Sequence, residues 1–163
     1  MKKVVHHDLE PYYNEDSEVL ILGSMPSIKS KELGFYYMHP QNRFWKTLAR
    51  VYEEEIPLTI EEKKDFLKRH KIALWDTIQS CMIDNSSDSS ITDVVPNDIC
   101  WIMKQSHIHK IYTTGKKSYD LYRKYCFCDT KIEAEYLPST SPANCPKGIE
   151  DKLYQEYCKI KDK

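Results

Sequence analysis

Short apolar runs alternate along this chain with longer segments whose apolar residues recur at helical spacing. The short runs predict four strands, at residues 19–22, 72–75, 109–113 and 132–137. The longer segments predict helices at residues 42–52, 59–70, 96–105 and 116–125, and from about residue 148. Such alternation is typical of a parallel sheet covered by helices, so we expect one α/β domain over residues 1–163.

Local signals mark some element boundaries. Thr59 and Glu62 have the spacing of a capping box, which opens the second predicted helix. Pro96 opens the third, because proline suits the first helical turn. Residues 80–92 are rich in Ser, Asp and Asn and are predicted to form a long loop.

The composition chiefly excludes some functional classes. The chain has 24 Lys and Arg against 25 Asp and Glu, a formal net charge of -1. This balance argues against a strongly basic nucleic-acid binder, whose affinity comes from many phosphate contacts. The net charge does not exclude an enzyme that binds a short stretch of duplex through a local basic patch.

The N-terminal residues and the cysteines indicate the cellular compartment. The N-terminal residues lack the apolar region of a signal peptide, and no run is long enough to span a membrane. We therefore expect the six cysteines to be reduced thiols in a cytoplasmic protein. Their irregular spacing, without a C-x₂-C pair, predicts no metal site.

The most informative segment is residues 19–45. An apolar strand ends at Gly23, a turn of small residues follows, and then aromatic side chains stand beside His39, Asn42 and Arg43. A glycine turn at the carboxyl end of a strand, followed by aromatic rings and amides, predicts a pocket for a flat polar ring. A flat ring with hydrogen-bonding edges suggests a nucleobase.

Four segments carry a family resemblance, and in order they read LILGSMPSIKS with GFYYMHPQNRFW, ALWDTIQSC with SDSSI and VVPND, IYTTGKK, and LPSTSPAN. With these motifs the chain resembles the uracil-DNA glycosylase superfamily, and within it the hypoxanthine-DNA (deoxyinosine) glycosylase family. The run HPQNRFWK is also similar to the mismatch-specific uracil glycosylases.

The resemblance implies a three-layer α/β/α fold with a central four-stranded parallel sheet. It also implies base-excision repair by a monofunctional enzyme, which extrudes a damaged nucleotide and hydrolyses its N-glycosidic bond. The implied partner is double-stranded DNA that contains a deaminated base, and no metal or organic cofactor is expected. We expect the protein to act as a monomer.

Asn42 is the expected catalytic residue. In several branches of the superfamily the side chain that positions water lies two residues after the glycine of the first motif, where this chain has Met25, which cannot orient water. The resemblance gives that role to Asn42, whose carboxamide can accept a hydrogen bond from the attacking water. A simpler alternative is that Asn42 only caps the following helix.

The expected base pocket combines the glycine turn with three later side chains. Tyr37 would stack on the extruded base. Asp76 would accept a hydrogen bond from the purine N1–H or act as a general base, and His39 would donate to the leaving purine or bind a phosphate. Alternatively, Tyr37 is a core aromatic residue, Asp76 caps the following loop, and His39 is a structural histidine that bonds a backbone carbonyl. The full pocket set is Gly23, Ser24, Met25, Pro26, Tyr37, His39 and Asp76.

A second set is expected to contact the DNA backbone. Small hydroxyl side chains suit phosphates, prolines can wedge into the gap left by a flipped nucleotide, and a lysine at a helix start favours an anion. Taken alone, the LPST sequence would be a plain surface turn. The DNA-binding set is Ser27, Lys116, Pro138, Ser139, Thr140, Ser141, Pro142 and Ala143.

One position departs from the family pattern. Many hypoxanthine glycosylases have Asn before the glycine of the third strand's turn, where this chain has Thr114. Two alternatives therefore stand beside a hypoxanthine glycosylase: a uracil or mismatch glycosylase, and a non-catalytic module that binds lesions.

Overall fold

Two β-sheets organise the part of the chain that the computed structural model describes, which is residues 3–7, 9–84 and 90–162. The strands are β1 (Lys3–His6), β2 (Val19–Gly23), β3 (Ile72–Asp76), β4 (Ile78–Ile83), β5 (Thr92–Pro96), β6 (Lys110–Thr114) and β7 (Ala134–Leu137). The helices are α1 (Ile28–Leu33), α2 (Phe44–Val51), α3 (Ile60–Arg69), α4 (Ile99–Lys104), α5 (Lys116–Tyr125), α6 (Phe127–Thr130) and α7 (Ile149–Tyr157). A 3₁₀ helix, Cys158–Asp162, follows α7.

The central sheet has the order β3-β2-β6-β7, and its strands are parallel. Every residue of β2 and β3 is buried, so both faces of these strands are covered. Continuous apolar runs are what such strands require, which is why the sequence predicted them. The predicted α/β fold with a four-stranded parallel sheet is confirmed.

A second sheet, with the antiparallel order β1-β4-β5, was not predicted. Residues 80–92 are therefore not one long loop: Ser80 to Ile83 belong to β4, Thr92 begins β5, and residues 85–89 lie outside the described chain. β1 and β5 are mostly exposed, so they lack the apolar runs that mark a buried strand.

The predicted helix start at Pro96 was also wrong. Pro96 ends β5, and α4 begins at Ile99 after the cap residue Asp98, whose side chain accepts from the Trp101 N–H. Elsewhere the boundaries agree more closely. The last predicted helix begins at Ile149, and α5 has the predicted bounds.

The two sheets meet at the carboxyl end of β3. Only Thr77 separates β3 from β4, so the chain passes directly from the central sheet into the second one. Buried Asn97 braces this corner, because its amide donates to the carbonyls of Asp76 at 2.8 Å and Ile78 at 3.1 Å. This brace fixes the backbone on both sides of Thr77, directly after Asp76.

In the part of the chain that the structure describes, no helix is both long and apolar enough to cross a membrane.

Candidate active site

Several residues of the expected site lie where the strands of the central sheet end. Gly23 ends β2, Asp76 ends β3, Thr114 ends β6 and Pro138 follows β7. Parallel strands place their carboxyl ends at one edge of the sheet, the usual site of ligands in this architecture. The geometry of this edge therefore decides what the site can do.

Gly23 and Asp76 form the tightest contact of the site. A Cβ atom on Gly23 would lie 2.5 Å from Asp76 Oδ1, a distance that real side chains do not reach. The turn after Gly23 also bonds to the chain after Asp76, since Thr77 N–H donates to the Gly23 carbonyl at 2.8 Å and Ile78 N–H to the Ser24 carbonyl at 3.2 Å. Glycine is needed here for close approach.

The Asp76 side chain is almost fully buried and pairs with a residue that the sequence did not single out. His7 Nε2 lies 2.7 Å from Asp76 Oδ2, and the two side chains are 2% and 5% exposed. Because a carboxylate only accepts hydrogen bonds, Nε2 is the donor in this pair.

Tyr37 lies between the glycine turn and the start of α2. Its ring stacks on Phe44, with centroids 3.9 Å apart and planes 12° from parallel, and its hydroxyl lies 3.4 Å from Thr114 Oγ1. Burial and the charge of Asp76 raise the pKa of this phenol, which keeps it protonated. Its backbone has a φ of 55°, a conformation that non-glycine residues rarely adopt.

The aromatic neighbours of Tyr37 have structural contacts. Phe35 and Tyr36 are buried, and the Tyr36 hydroxyl donates to the Glu10 carbonyl at 2.8 Å. Tyr37 is the partly exposed member of the three. Phe44 backs one face of its ring, so only the other face is left for a ligand.

Asn42 is held at the start of α2 by its own side chain. Its Oδ1 accepts from the Phe44 N–H at 2.9 Å, and its backbone N–H donates to the His39 carbonyl at 2.9 Å. The cap residue of α2 is Arg43, which makes no side-chain capping bond, and the Asn42 contact instead satisfies the first N–H of the helix from one residue earlier. This contact does not use up the amide, because Oδ1 has a second lone pair and Nδ2 makes no hydrogen bond within the described chain.

Arg43 joins the Asn42 segment to the loop of residues 138–144. Its backbone N–H donates to the Thr140 carbonyl at 3.0 Å. Its guanidinium donates to the carbonyls of Ser141 at 3.3 Å and Asn144 at 3.1 Å. Asn42 is thus next to the 138–144 loop, although about a hundred residues separate them in the sequence.

The 138–144 loop is ordered by its own polar groups. Ser139 Oγ accepts from the Ser141 N–H at 3.1 Å, Ser141 Oγ accepts from the Ala143 N–H at 3.2 Å, and the Asn144 amide donates to the Ser139 carbonyl at 2.8 Å. Gly115 packs against this loop, since a Cβ there would lie 3.4 Å from Ser139 Cβ. The loop therefore also adjoins the turn after β6.

Four of the predicted site residues use their side chains elsewhere. Met25 packs with the apolar cluster of the second sheet, Ser27 caps α1, and His39 Nδ1 accepts from the Gln41 N–H at 3.1 Å. Lys116 is exposed and pairs with Asp120 at 3.3 Å. These contacts give the four side chains local structural roles.

Sequence reasoning missed the roles of His7 and Arg43. His7 is next to His6 near the N-terminus, and nothing in that pattern indicates a partner at position 76. Arg43 was part of a motif, yet its carbonyl partners lie in a loop that sequence spacing cannot place beside it. Among the described residues, no group of three or more His, Cys, Asp or Glu side chains is arranged to hold a metal ion.

Comparison with known proteins agrees with this geometry. The family model described as "Uracil DNA glycosylase superfamily" matches residues 10–158. Two curated relatives are both named hypoxanthine DNA glycosylase: one from Methanosarcina barkeri, 32% identical over 82% of this chain and 85% of its own length, and one from Methanosarcina acetivorans, 33% identical over 80% and 83%.

A solved structure is similar over nearly the whole length. It is the solution NMR structure of a Methanosarcina acetivorans protein described as a candidate uracil DNA glycosylase, with a TM-score of 0.80, 28% identity, and coverage of 97% of this chain and 99% of that one. The fold, the edge of the sheet that carries the site and these matches lead to one conclusion: the chain belongs to the uracil DNA glycosylase superfamily.

Proposed function

We propose that this protein is a monofunctional DNA glycosylase that removes a flipped deaminated base from double-stranded DNA, hypoxanthine before others. The observation that carries the proposal is the contact of Arg43 with the 138–144 loop, which joins Asn42 to the segment expected to hold DNA. The names of the two curated relatives support the choice of hypoxanthine.

Asn42 is the proposed catalytic residue. The C1′–N bond breaks with its electrons leaving on the base, the sugar becomes oxocarbenium-like as water attacks C1′, and the proton that the water loses neutralises the departing base. Such a sugar needs an oriented water more than a strong base. Asn42 Oδ1 is already fixed by the Phe44 N–H, so its remaining lone pair is a preorganised acceptor for that water.

Asp76 is the proposed reader of the base. Deamination changes a ring nitrogen at the pairing edge: N1 of adenine is an acceptor, whereas N1 of hypoxanthine carries a hydrogen. An ionised carboxylate accepts from that N–H and has nothing to donate to adenine. Asp76 is buried beside Gly23 and the Tyr37 hydroxyl, where a flat ring stacked on the face of Tyr37 opposite Phe44 would present its edge.

The remaining expectations fit the same proposal. The 138–144 loop would contact phosphates through Ser139, Thr140 and Ser141, and Pro142 with Ala143 would fill the gap left by the flipped nucleotide. The two sheets form one domain in this proposal, since Tyr125 packs against the apolar clusters of both. The protein would act as a monomer. Reduced cysteines and a DNA substrate fit the cytoplasm.

A uracil or mismatch glycosylase is the second candidate. Thr114 favours it, because its hydroxyl lies in the pocket next to Tyr37 where many hypoxanthine glycosylases have Asn. Uracil also carries a ring N–H at its pairing edge, so Asp76 would accept from it in the same way.

The test is a substrate panel under enzyme excess. End-labelled duplexes contain one deoxyinosine, deoxyuridine, deoxyxanthosine or deoxyadenosine, and alkali-labile sites are counted over time. We expect fastest cleavage at deoxyinosine and none at deoxyadenosine. Faster cleavage at deoxyuridine would make the second candidate correct. Lesion binding without alkali-labile sites in any duplex would mean that the protein is a non-catalytic binding module.

A further inference from the structure

His7 reaches the site from the second sheet. β1 pairs with β4 in a register that sets His6 opposite Ser80, and the His7 N–H donates to the Gln79 carbonyl at 2.7 Å. This pairing carries the His7 imidazole to the carboxyl end of β3, where it is buried. The N-terminal strand thereby contributes a side chain to an edge otherwise built by the central sheet.

The two oxygens of Asp76 have different surroundings. Oδ2 accepts from His7 Nε2, whereas Oδ1 lies against Gly23 and accepts no hydrogen bond within the described chain. A carboxylate that is bonded through one oxygen has its plane fixed, so the direction of the other oxygen is fixed as well. Oδ1 is the oxygen left for a ligand.

Neither neighbouring tyrosine replaces His7 as a donor. The Tyr36 hydroxyl donates to the Glu10 carbonyl, and the Tyr37 hydroxyl pairs with Thr114. Within the part of the chain that the structure describes, His7 is the one hydrogen-bond donor to the Asp76 side chain. Without it, a buried carboxylate would lose both its orientation and its compensation for burial.

We propose that His7 is a positioning residue, which orients Asp76 so that Oδ1 accepts from the ring N–H of the deaminated base. The inference rests on the proposed function, because it deepens the role of Asp76 in that site. It makes His7 a determinant of base discrimination although His7 itself does not touch the base.

The test compares substitutions that differ in reach. In His7→Gln the amide nitrogen is as many bonds from Cβ as Nε2 of histidine, whereas in His7→Asn it is one bond shorter. Excision of hypoxanthine is measured under single turnover for wild type, His7→Ala, His7→Asn and His7→Gln. His6→Ala is the matched control, since His6 is exposed on the same strand.

We expect His7→Ala and His7→Asn to lower the excision rate by about 10- to 100-fold, as the loss of a hydrogen bond to a charged group implies. His7→Gln should recover most of the rate, and His6→Ala should match wild type. In protein that carries Asp76→Ala, adding His7→Ala should lower the rate no further, because His7 acts through Asp76.

Equal rates for His7→Gln and His7→Asn would overturn the inference, and this comparison decides even if His7→Ala does not fold. A further loss of excision rate when His7→Ala is added to the Asp76→Ala protein would also overturn the inference. It would show that His7 only supports the fold and does not act through Asp76. Failure of the proposed function is a separate result, since wild type would then excise another base faster than hypoxanthine, or would excise no base at all.

Discussion

Asp76 Oδ1 lies where a methyl group on Gly23 would have to fit, only 2.5 Å from the position of its carbon. Gly23→Ala must therefore displace Asp76 or the turn of β2. We expect overpacking to lower the free energy of unfolding by about 1–3 kcal/mol. Excision should fall by about 100-fold, because a shift of about 1 Å in a catalytic group costs that much.

The matched control for this change is Gly34→Ala. Gly34 ends α1 with a φ of 80°, and nothing lies within 4 Å of its added Cβ. Alanine there costs about 1–2 kcal/mol of backbone strain but leaves Asp76 in place. Denaturant unfolding should show a loss of stability in both variants. Single-turnover kinetics should show a lower excision rate for Gly23→Ala and a rate near wild type for Gly34→Ala. Wild-type excision by Gly23→Ala would contradict the close approach.

Arg43→Ala should release the 138–144 loop. The guanidinium donates to two carbonyls of that loop, and hydrogen bonds from a charged group contribute about 1.5–3 kcal/mol. We expect weaker binding to lesion duplexes, measured by fluorescence anisotropy, together with slower excision.

Arg50→Ala on the same helix serves as the control. Arg50 forms an exposed pair with Asp151 and lies over the Tyr154 ring, contacts that contribute about 1 kcal/mol or less. Its binding and excision should equal wild type. If both arginine variants bind DNA equally well, Arg43 does not order the DNA-contacting loop.

Tyr37→Leu should weaken capture of the flipped base, whereas Tyr37→Phe should retain it. Stacking on an aromatic ring contributes about 1–3 kcal/mol per base. Within the described residues the Tyr37 hydroxyl makes one hydrogen bond, a long one of 3.4 Å to Thr114 Oγ1. All three residues pay the same backbone cost at a φ of 55°, so the comparison isolates the ring. The dependence of the single-turnover rate on enzyme concentration gives the affinity for the lesion duplex. Equal affinities for Tyr37→Leu and Tyr37→Phe would exclude stacking of the base on Tyr37.

The six cysteines range from buried to exposed. Burial raises the pKa of the Cys126 thiol to about 12, while Cys128 is exposed two residues later. A thiol with a raised pKa stays protonated below it, so at pH 8 the reactive thiolate fraction of Cys126 is about one in ten thousand. Iodoacetamide at pH 8 should label Cys128 and Cys145 but not Cys126, as mass spectrometry of peptides would show. Equal labelling of Cys126 and Cys128 would contradict this burial.

The central sheet was predictable and the second sheet was not, for one physical reason. β2 and β3 are buried on both faces and read as continuous apolar runs, whereas β1 and β5 are mostly exposed. The same limit applies within the site. Gly23, Asp76 and Asn42 follow from motifs. The pairing of His7 with Asp76, 69 residues apart, depends instead on the register of β1 against β4.

Asn42 shows where sequence reasoning stops. A helix cap and a water-positioning amide require the same residue at the same place, so the sequence left both open. The bond from Phe44 N–H to Oδ1 shows that the turn is capped, and the unused lone pair of Oδ1 is compatible with catalysis. Only a variant that keeps the cap and shortens the side chain separates the two roles.

Asn42→Ser is that variant, since serine caps helices about as well as asparagine but lacks the reach of the carboxamide. Single-turnover excision of hypoxanthine from duplex DNA is the decisive measurement, with unfolding and lesion binding measured on the same preparations. We expect stability and binding close to wild type, and a rate lower by about 100-fold or more. A wild-type rate in Asn42→Ser would show that Asn42 only caps α2 and that the proposed catalytic site is wrong.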